Sequence, residues 1–281
     1  MTEGAGISTV DCPARDGLRL HVRQVLPDRP AKALVIVVHG VIEHGGRYAE
    51  LAAAMSREGL AVWIADLRGH GRSEGSRVWV ESFDQYVDDL AVVVDQARAT
   101  QPDAPLFLFG HSLGGLIVLK TSQVLRDSLA GVIVSAPAVS VAEGLFPWLR
   151  KLAGLGSRLF PRWRLAKLGC SKLSRDPQVI ADFRADPLVF HGRIPTRTGA
   201  EILRESAAMQ EQGAKISSPL LILQGTGDVV VSPQGVERFY GLAASGDKTL
   251  RTFPGLYHDL PREPERAEIL AEIATWICRR C

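Results

Sequence analysis

Five short apolar runs constrain this chain more than any other feature: Ala33 to Val38, Ala61 to Ala65, Leu106 to Phe109, Val132 to Ser135 and Leu220 to Leu223. Longer helical patterns separate most of them. Runs this short and this uniformly apolar need cover on both faces, as in a mainly parallel sheet flanked by helices, so the spacing predicts an α/β architecture. Leu18 to Leu26 differs: it alternates apolar Leu18, Leu20 and Val22 with polar residues, the pattern of a half-exposed antiparallel edge strand preceding the parallel ones. Between Phe83 and Thr100, the residues Phe83, Val87, Leu90, Val94 and Ala97 fall on one helical stripe, with Ser82 as a cap.

The rhythm breaks between about Pro137 and Lys215, where no apolar β run occurs. This stretch is assigned as a helical insertion, residues 137–215, within a core made of 1–136 and 216–281. Its first part, Leu145 to Leu168, carries six Lys or Arg, no acid, and the aromatics Phe146, Trp148, Phe160 and Trp163. A segment of that kind either contacts a membrane surface transiently or covers an apolar pocket, and the alternative is that its aromatics pack onto the body of the fold.

Charge and targeting signals exclude several function classes. The 33 basic residues nearly balance the 31 acidic ones, for a formal charge of +2, so nucleic acid is not expected as a partner. The N-terminus has an acid at Glu3 and no apolar stretch before Cys12, unlike a secretory signal, and the longest apolar run is too short to cross a bilayer. The expected location is cytoplasmic, with peripheral membrane contact through the insertion. Cys12, Cys170, Cys278 and Cys281 read as reduced thiols; the terminal Cys278/Cys281 pair has no second pair with which to hold zinc.

The chemistry sits at strand ends. Phe107 to Phe109 leads into Gly110-His111-Ser112-Leu113-Gly114, and Gly115 to Leu125 reads as a helix. That is the strand, sharp turn and helix of a GxSxG nucleophile elbow, in which glycines leave room for an exposed serine hydroxyl. A hydroxyl needs a base, and the base needs a carboxylate to fix its tautomer. Asp228 follows the Leu220 to Leu223 strand on a glycine-rich turn, and His258 follows the Thr249 to Phe253 strand, so Ser112, Asp228 and His258 occur in the chain order of this architecture. The expected oxyanion donors are the backbone N–H groups of Leu113 and Val41. Among rivals, His70 precedes the serine, Asp66 reads as the cap of its own loop, Asp247 lies at the wrong end of its strand, and Asp186 reads as ordering a turn. His111 reads as buried support, His44 as bracing the site, and His21 and His191 as structural. None has metal-like spacing, so neither metal nor cofactor is expected.

With these residues in place, the chain resembles the monoglyceride lipase and lysophospholipase branch of the serine α/β-hydrolases. The resemblance runs almost end to end. It rests on His39-Gly40 continuing to Glu43-His44-Gly45-Gly46-Arg47-Tyr48, then Gly69 to Gly75, Gly110 to Gly115, Asp186-Pro187-Leu188, Gln224-Gly225 with Asp228, and Tyr257-His258. It implies an α/β-hydrolase fold, a helical cap over an acyl tunnel, no cofactor, and Glu43 and Arg47 near the small-alcohol end of the site; His44 and His111 are expected beside them on the substrate side. Pro261 stands where animal lipases of this branch carry an additional histidine at the glycerol exit.

The expected activity is therefore hydrolysis of medium or long acyl esters, monoacylglycerols above all, through an acyl enzyme on Ser112. The alternatives are a general carboxylesterase or lysophospholipase and, more remotely, a non-catalytic binding protein of the same fold. An epoxide hydrolase or dehalogenase is not expected, since those relatives place an aspartate where Ser112 stands.

Overall fold

In the computed structural model, which describes residues 6–141, 154 and 156–281, the apolar runs become the centre of one sheet. The first half of the chain forms β1 (Ile7–Pro13), β2 (Arg19–Val25), β3 (Ala33–Val38), α1 (Ala49–Arg57), β4 (Leu60–Ala65), α2 (Asp84–Thr100), β5 (Leu106–His111), α3 (Leu113–Leu125) and β6 (Gly131–Ser135). There follow β7 (Arg164–Ala166), α4 (Pro177–Ala185), β8 (Ile194–Pro195), α5 (Thr196–Glu211), β9 (Leu220–Gly225), α6 (Pro233–Leu242), β10 (Lys248–Phe253) and α7 (Arg266–Cys278).

The eight-stranded sheet has the order β1-β2-β4-β3-β5-β6-β9-β10, parallel from β4 to β10 and antiparallel at β1 and β2. Period-two geometry splits each buried strand between two cores. Leu34, Ile36 and Val38 of β3 face the layer that holds α2, α3 and α6, while Ala33, Val35 and Val37 face α1 and α7. Every side chain of β3, β4, β5 and β9 is buried, which is why these strands read as unbroken apolar runs.

Two expectations change. The strand read as an edge is β2, and it lies inside the sheet, because β1 pairs with it over seven residues from Ile7↔Val25 to Pro13↔Arg19. β1 is held by backbone bonds, and most of its side chains are exposed, so it carries no apolar alternation to read. Likewise α2 begins one turn position later than Ser82 would place it: Phe83 occupies the cap position, while Ser82 Oγ accepts the Asp84 N–H at 3.3 Å.

The insertion carries α4 and α5, together with a two-stranded antiparallel ribbon, β7 with β8, that is too short to give a β pattern in sequence. Polar hooks hold α5 on the core: Thr198 Oγ1 donates to the Val78 carbonyl at 2.9 Å, and Glu201 accepts the Phe83 N–H at 3.0 Å. Of the basic-aromatic segment, Phe146 and Trp148 lie outside the described residues, as does Glu3. Leu159, Phe160 and Trp163 are 63%, 47% and 58% exposed, so Leu159 and Trp163 stand mostly in solvent and Phe160 about half so. Phe160 and Trp163 stack on each other at 4.3 Å. Among the described residues no helix is long and apolar enough to cross a membrane.

Candidate active site

The carboxyl ends of the parallel strands bring the candidate residues to one rim of the sheet. Ser112 follows β5 directly and has φ 53 and ψ −115, a backbone conformation that costs energy for any residue with a side chain. Its surroundings hold it there. The Ser112 N–H donates to the Ser135 carbonyl at 3.0 Å, and the Ser112 carbonyl accepts from Ala138 N–H at 2.9 Å. The flanking glycines are a steric necessity: a Cβ on Gly110 would stand 2.3 Å from the Gly114 carbonyl oxygen, and one on Gly114 would stand 2.1 Å from that of Val38. α3 thus starts in contact with β3, and the N–H groups of its first turn have no partner within the helix.

Asp228 lies beyond β9, in the turn before α6. Its Oδ1 accepts the N–H groups of Val230 and Val231 at 2.7 and 3.0 Å, and its Oδ2 accepts from Gln224 Nε2 at 3.1 Å. The same Oδ2 lies 2.8 Å from His258 Nδ1. Nδ1 faces a carboxylate and so carries the proton, leaving Nε2 as the basic nitrogen. Burial pulls the His258 imidazolium down, but the Asp228 charge and hydrogen bond, with smaller help from Asp259 and Glu43, outweigh it and raise the group above its ordinary value. Burial works against the Asp228 carboxylate too, yet His258 and the two backbone donors hold it below the usual range.

Ser112 and His258 line one cavity of about 520 Å³, a volume typical of small-molecule sites. Val41, Ile42, Phe183, Ile202, Leu203 and Val230 supply much of its apolar wall, so core and insertion both contribute. Both expected oxyanion donors, Val41 and Leu113, border it. Gly40 brings the first of these close to the serine, since a Cβ on Gly40 would lie 3.4 Å from Ser112 Cβ.

The substrate-side candidates divide. Glu43 and His111 line the cavity, whereas His44 and Arg47 stand behind its wall. Glu43 is buried; its Oε1 accepts from Gly40 N–H and the Tyr48 hydroxyl, each at 2.7 Å, and its Oε2 accepts from Arg47 Nε at 3.0 Å. Burial opposes ionisation of Glu43, but Arg47 and Arg262 keep it well below the usual carboxylate range. His111 Nδ1 donates to the Ser135 carbonyl at 3.1 Å, and burial, then the nearby His258, pushes it down to about 4, so it is neutral. His44 accepts the Gly46 N–H on Nδ1 at 3.1 Å and meets Asp186 Oδ2 at 2.8 Å through Nε2. Asp186 also accepts the Leu188 N–H at 2.8 Å, so it orders its turn and joins the insertion to the core.

The rivals occupy other places. His70 is buried outside the cavity wall, bonds the Arg68 carbonyl through Nδ1 at 2.9 Å, and is pushed down by burial to about 3. Asp66 ties its loop together by accepting from Gly45 and Arg72 N–H at 2.7 and 2.8 Å. Asp247 directly precedes β10, at the amino end of that strand, and pairs with Arg280 at 2.7 Å. All four cysteines are free, and the described residues contain no cluster of three metal-ligating side chains.

Sequence reading missed Gln224 as a donor to Asp228, and it missed Asp259 and Arg262 altogether. Asp259 follows His258 directly, and its Oδ2 accepts from Arg47 Nη2 at 3.2 Å and from Arg262 Nη1 at 2.9 Å. The only signal in the sequence is an acid and an arginine three residues apart, which reads as an ordinary surface pair.

The chain as a whole is similar to known proteins. The family model Hydrolase_4, described as serine aminopeptidase S33, matches residues 29–265. A monoacylglycerol lipase from Mycolicibacterium smegmatis is 33% identical over 261 residues, covering 93% of each chain. The human monoglyceride lipase is 34% identical over 268 residues, covering 94% of this chain and 88% of that protein. The crystal structure of a Paleococcus ferrophilus monoacylglycerol lipase superposes with a TM-score of 0.83 at 30% identity, covering 93% of this chain and 99% of the other.

Proposed function

Because the chain belongs to the Hydrolase_4 family, in the monoglyceride lipase branch of the serine α/β-hydrolases, we propose that it hydrolyses medium or long acyl esters, monoacylglycerols foremost. The broader activity, carboxylic ester hydrolysis, is given by the family; the residue roles and the substrate are our reading. One observation carries it: a serine held in a strained elbow and a histidine bonded to a buried aspartate border the same apolar cavity.

In this reading Ser112 Oγ attacks the ester carbonyl carbon while His258 Nε2 takes its proton. Negative charge moves to the carbonyl oxygen, where Val41 and Leu113 N–H stabilise it. Collapse of this intermediate breaks the bond to the alcohol oxygen, which leaves with the proton from His258. Water, deprotonated by the same Nε2, then cleaves the acyl–Ser112 ester and releases the fatty acid. Residues 137–215 act as the cap over the acyl pocket. The apolar wall of Ile202, Leu203 and Phe183 supports an acyl chain rather than an acetyl group. The exposed Leu159, Phe160 and Trp163 amid Arg158, Arg162 and Arg164 support transient docking of the cap on a lipid surface.

Lys172 in the cavity wall favours a second reading, a lysophospholipase that pairs this cation with a headgroup phosphate. Competition between a monoacylglycerol, lysophosphatidylcholine and short p-nitrophenyl esters, scored as kcat/KM, separates the readings. The monoacylglycerol is expected to lead by at least about tenfold, or 1.4 kcal/mol in transition-state binding. A strict preference for acetyl or butyryl esters would defeat the lipase reading.

A further inference from the structure

Two oppositely charged pairs stand at the cavity wall, Glu43 and Asp259 bordering it and Arg47 and Arg262 opposite them, with the side chains of all four largely shielded from water. Buried ion pairs are weak evidence for stability, since desolvation offsets most of their attraction. Their placement asks for another explanation. Glu43 and Arg47 belong to the turn after β3 that carries Gly40 and Val41, whereas Asp259 and Arg262 belong to the loop after β10 that carries His258.

We propose that Asp259 and Arg262 are positioning residues that clamp the oxyanion turn to the histidine loop, so that the amide donors and the base are held in one geometry relative to Ser112. This rests on the reading of Ser112 and His258 as nucleophile and base. Arg47 is the crosspiece. Its Nε donates to Glu43 and its Nη2 to Asp259, and its guanidinium lies 4.6 Å from the centre of the Phe183 ring in α4. Arg262 closes the loop from the other side: Nη1 donates to both Asp259 oxygens at 3.1 and 2.9 Å, and Nη2 donates to the Arg47 carbonyl. Its guanidinium also covers the Tyr48 ring at 5.0 Å.

The far end of the clamp reaches the reacting atoms through one carboxylate. Glu43 takes the Gly40 N–H, fixing the His39–Gly40 peptide, one peptide before the one that carries the Val41 N–H. A loss of the clamp therefore frees the turn that supplies one oxyanion donor, a group whose removal in acyl-transfer enzymes costs on the order of 10² to 10³ in rate. The insertion is tied in as well, since the Asp259 N–H donates to the Leu173 carbonyl at 2.7 Å.

The same geometry gives the clamp an electrostatic signature. His258 is faced by Asp228, Asp259 and Glu43, and its ring centre lies 4.8 Å from that of neutral His111. Asp259 in turn is faced by Arg262, Arg47, Glu43 and His111. Neutralising Asp259 removes an anion that favours protonated His258 and leaves two arginines less compensated, so the acid limb of activity moves to lower pH. Removing the Arg262 charge leaves Asp259 less compensated and moves it to higher pH. The opposed shifts report the charges that face His258, while a fall in kcat at nearly constant KM reports the clamp.

The test measures kcat, KM and the pH profile of kcat/KM for Asp259→Asn, Arg262→Gln and Arg262→Lys on one monoacylglycerol. The expected result is a fall in kcat of about 10- to 100-fold in each variant with KM changed less than about threefold. The acid limb should move down by about half a pH unit or more in Asp259→Asn and up in Arg262→Gln. Arg262→Lys keeps the charge but cannot reproduce the fork, so it should lose kcat without shifting the limb; it carries the test alone if the other variants do not fold. Wild-type kcat in Arg262→Lys, or acid limbs that move together, would overturn the clamp. Labelling of wild-type Ser112 by a fluorophosphonate distinguishes failure of the clamp from failure of the triad: if labelling succeeds while the variants behave as wild type, the clamp alone fails.

Discussion

The carboxyl rim of the sheet and the insertion above it border one cavity under opposite constraints. At the rim nothing has room to change: a Cβ on Gly110 or Gly114 would collide with backbone oxygen, Ser112 is locked at φ 53, and Asp228 is held by three donors in addition to His258. Across the cavity, Gly169 and Gly199 have nothing within 4 Å of where a Cβ would stand, and Leu159 and Trp163 remain in solvent. The difference teaches which part of the function each region fixes. On the proposed reading the rim fixes the reaction, because bond making needs atoms within narrow tolerances, while residues of the 137–215 segment supply a wall with room to vary.

Substitutions at the rim should break the reaction outright. Ser112→Ala and His258→Ala are each expected to lower kcat by on the order of 10⁴ to 10⁶, with the double variant losing little more, since the two act as one unit. Steady-state rates on a chromogenic ester check this, and losses that multiply would break the shared mechanism.

Asp228→Asn keeps the shape but not the charge, so about 10⁴ in kcat should go with the tautomer. The wild-type profile gives the companion measurement. His258 must be neutral to accept a proton, and its value is raised, so activity should be lost as pH falls through a midpoint above the ordinary 6.5. In Asp228→Asn that midpoint should drop; an unmoved limb would detach Asp228 from the base.

Two glycine substitutions compare the regions directly. Gly114→Ala forces a Cβ to 2.1 Å from the Val38 oxygen and should cost about 1–3 kcal/mol or more, read as a fall in urea midpoint. Gly199→Ala, inside α5 and facing open space, should instead raise stability by about 0.5–1 kcal/mol. Equal effects at the two positions would erase the contrast.

The smallest effect belongs to the wall. Leu203→Trp should lower kcat/KM for long acyl esters by about tenfold and leave short ones within about twofold, as for a change confined to an apolar pocket. A chain-length profile identical to wild type would place the acyl chain elsewhere.

Legibility in the sequence follows the same division. β3, β4, β5, β6 and β9 are readable because burial on both faces leaves only apolar residues to write them with. β1 is not, because its bonds are backbone bonds and its side chains are mostly exposed. Ser112, Asp228 and His258 can be picked out since each sits on a local pattern, a strand end followed by glycine or a loop. The Asp259 contact with Arg47 spans 212 positions and joins charges that look like ordinary surface residues, so no local pattern announces it. Glu43 and Arg47 are expected at the alcohol end, but their position alone does not reveal that Arg47 stands behind the wall and spends its guanidinium on Glu43, Asp259 and Phe183.

Peptide mapping after fluorophosphonate treatment addresses the Ser112–His258–Asp228 unit most directly. A single adduct on the peptide containing Ser112 is the expected result, absent in Ser112→Ala and formed orders of magnitude more slowly in His258→Ala. An adduct on another residue, or His258→Ala labelling at the wild-type rate, would contradict it.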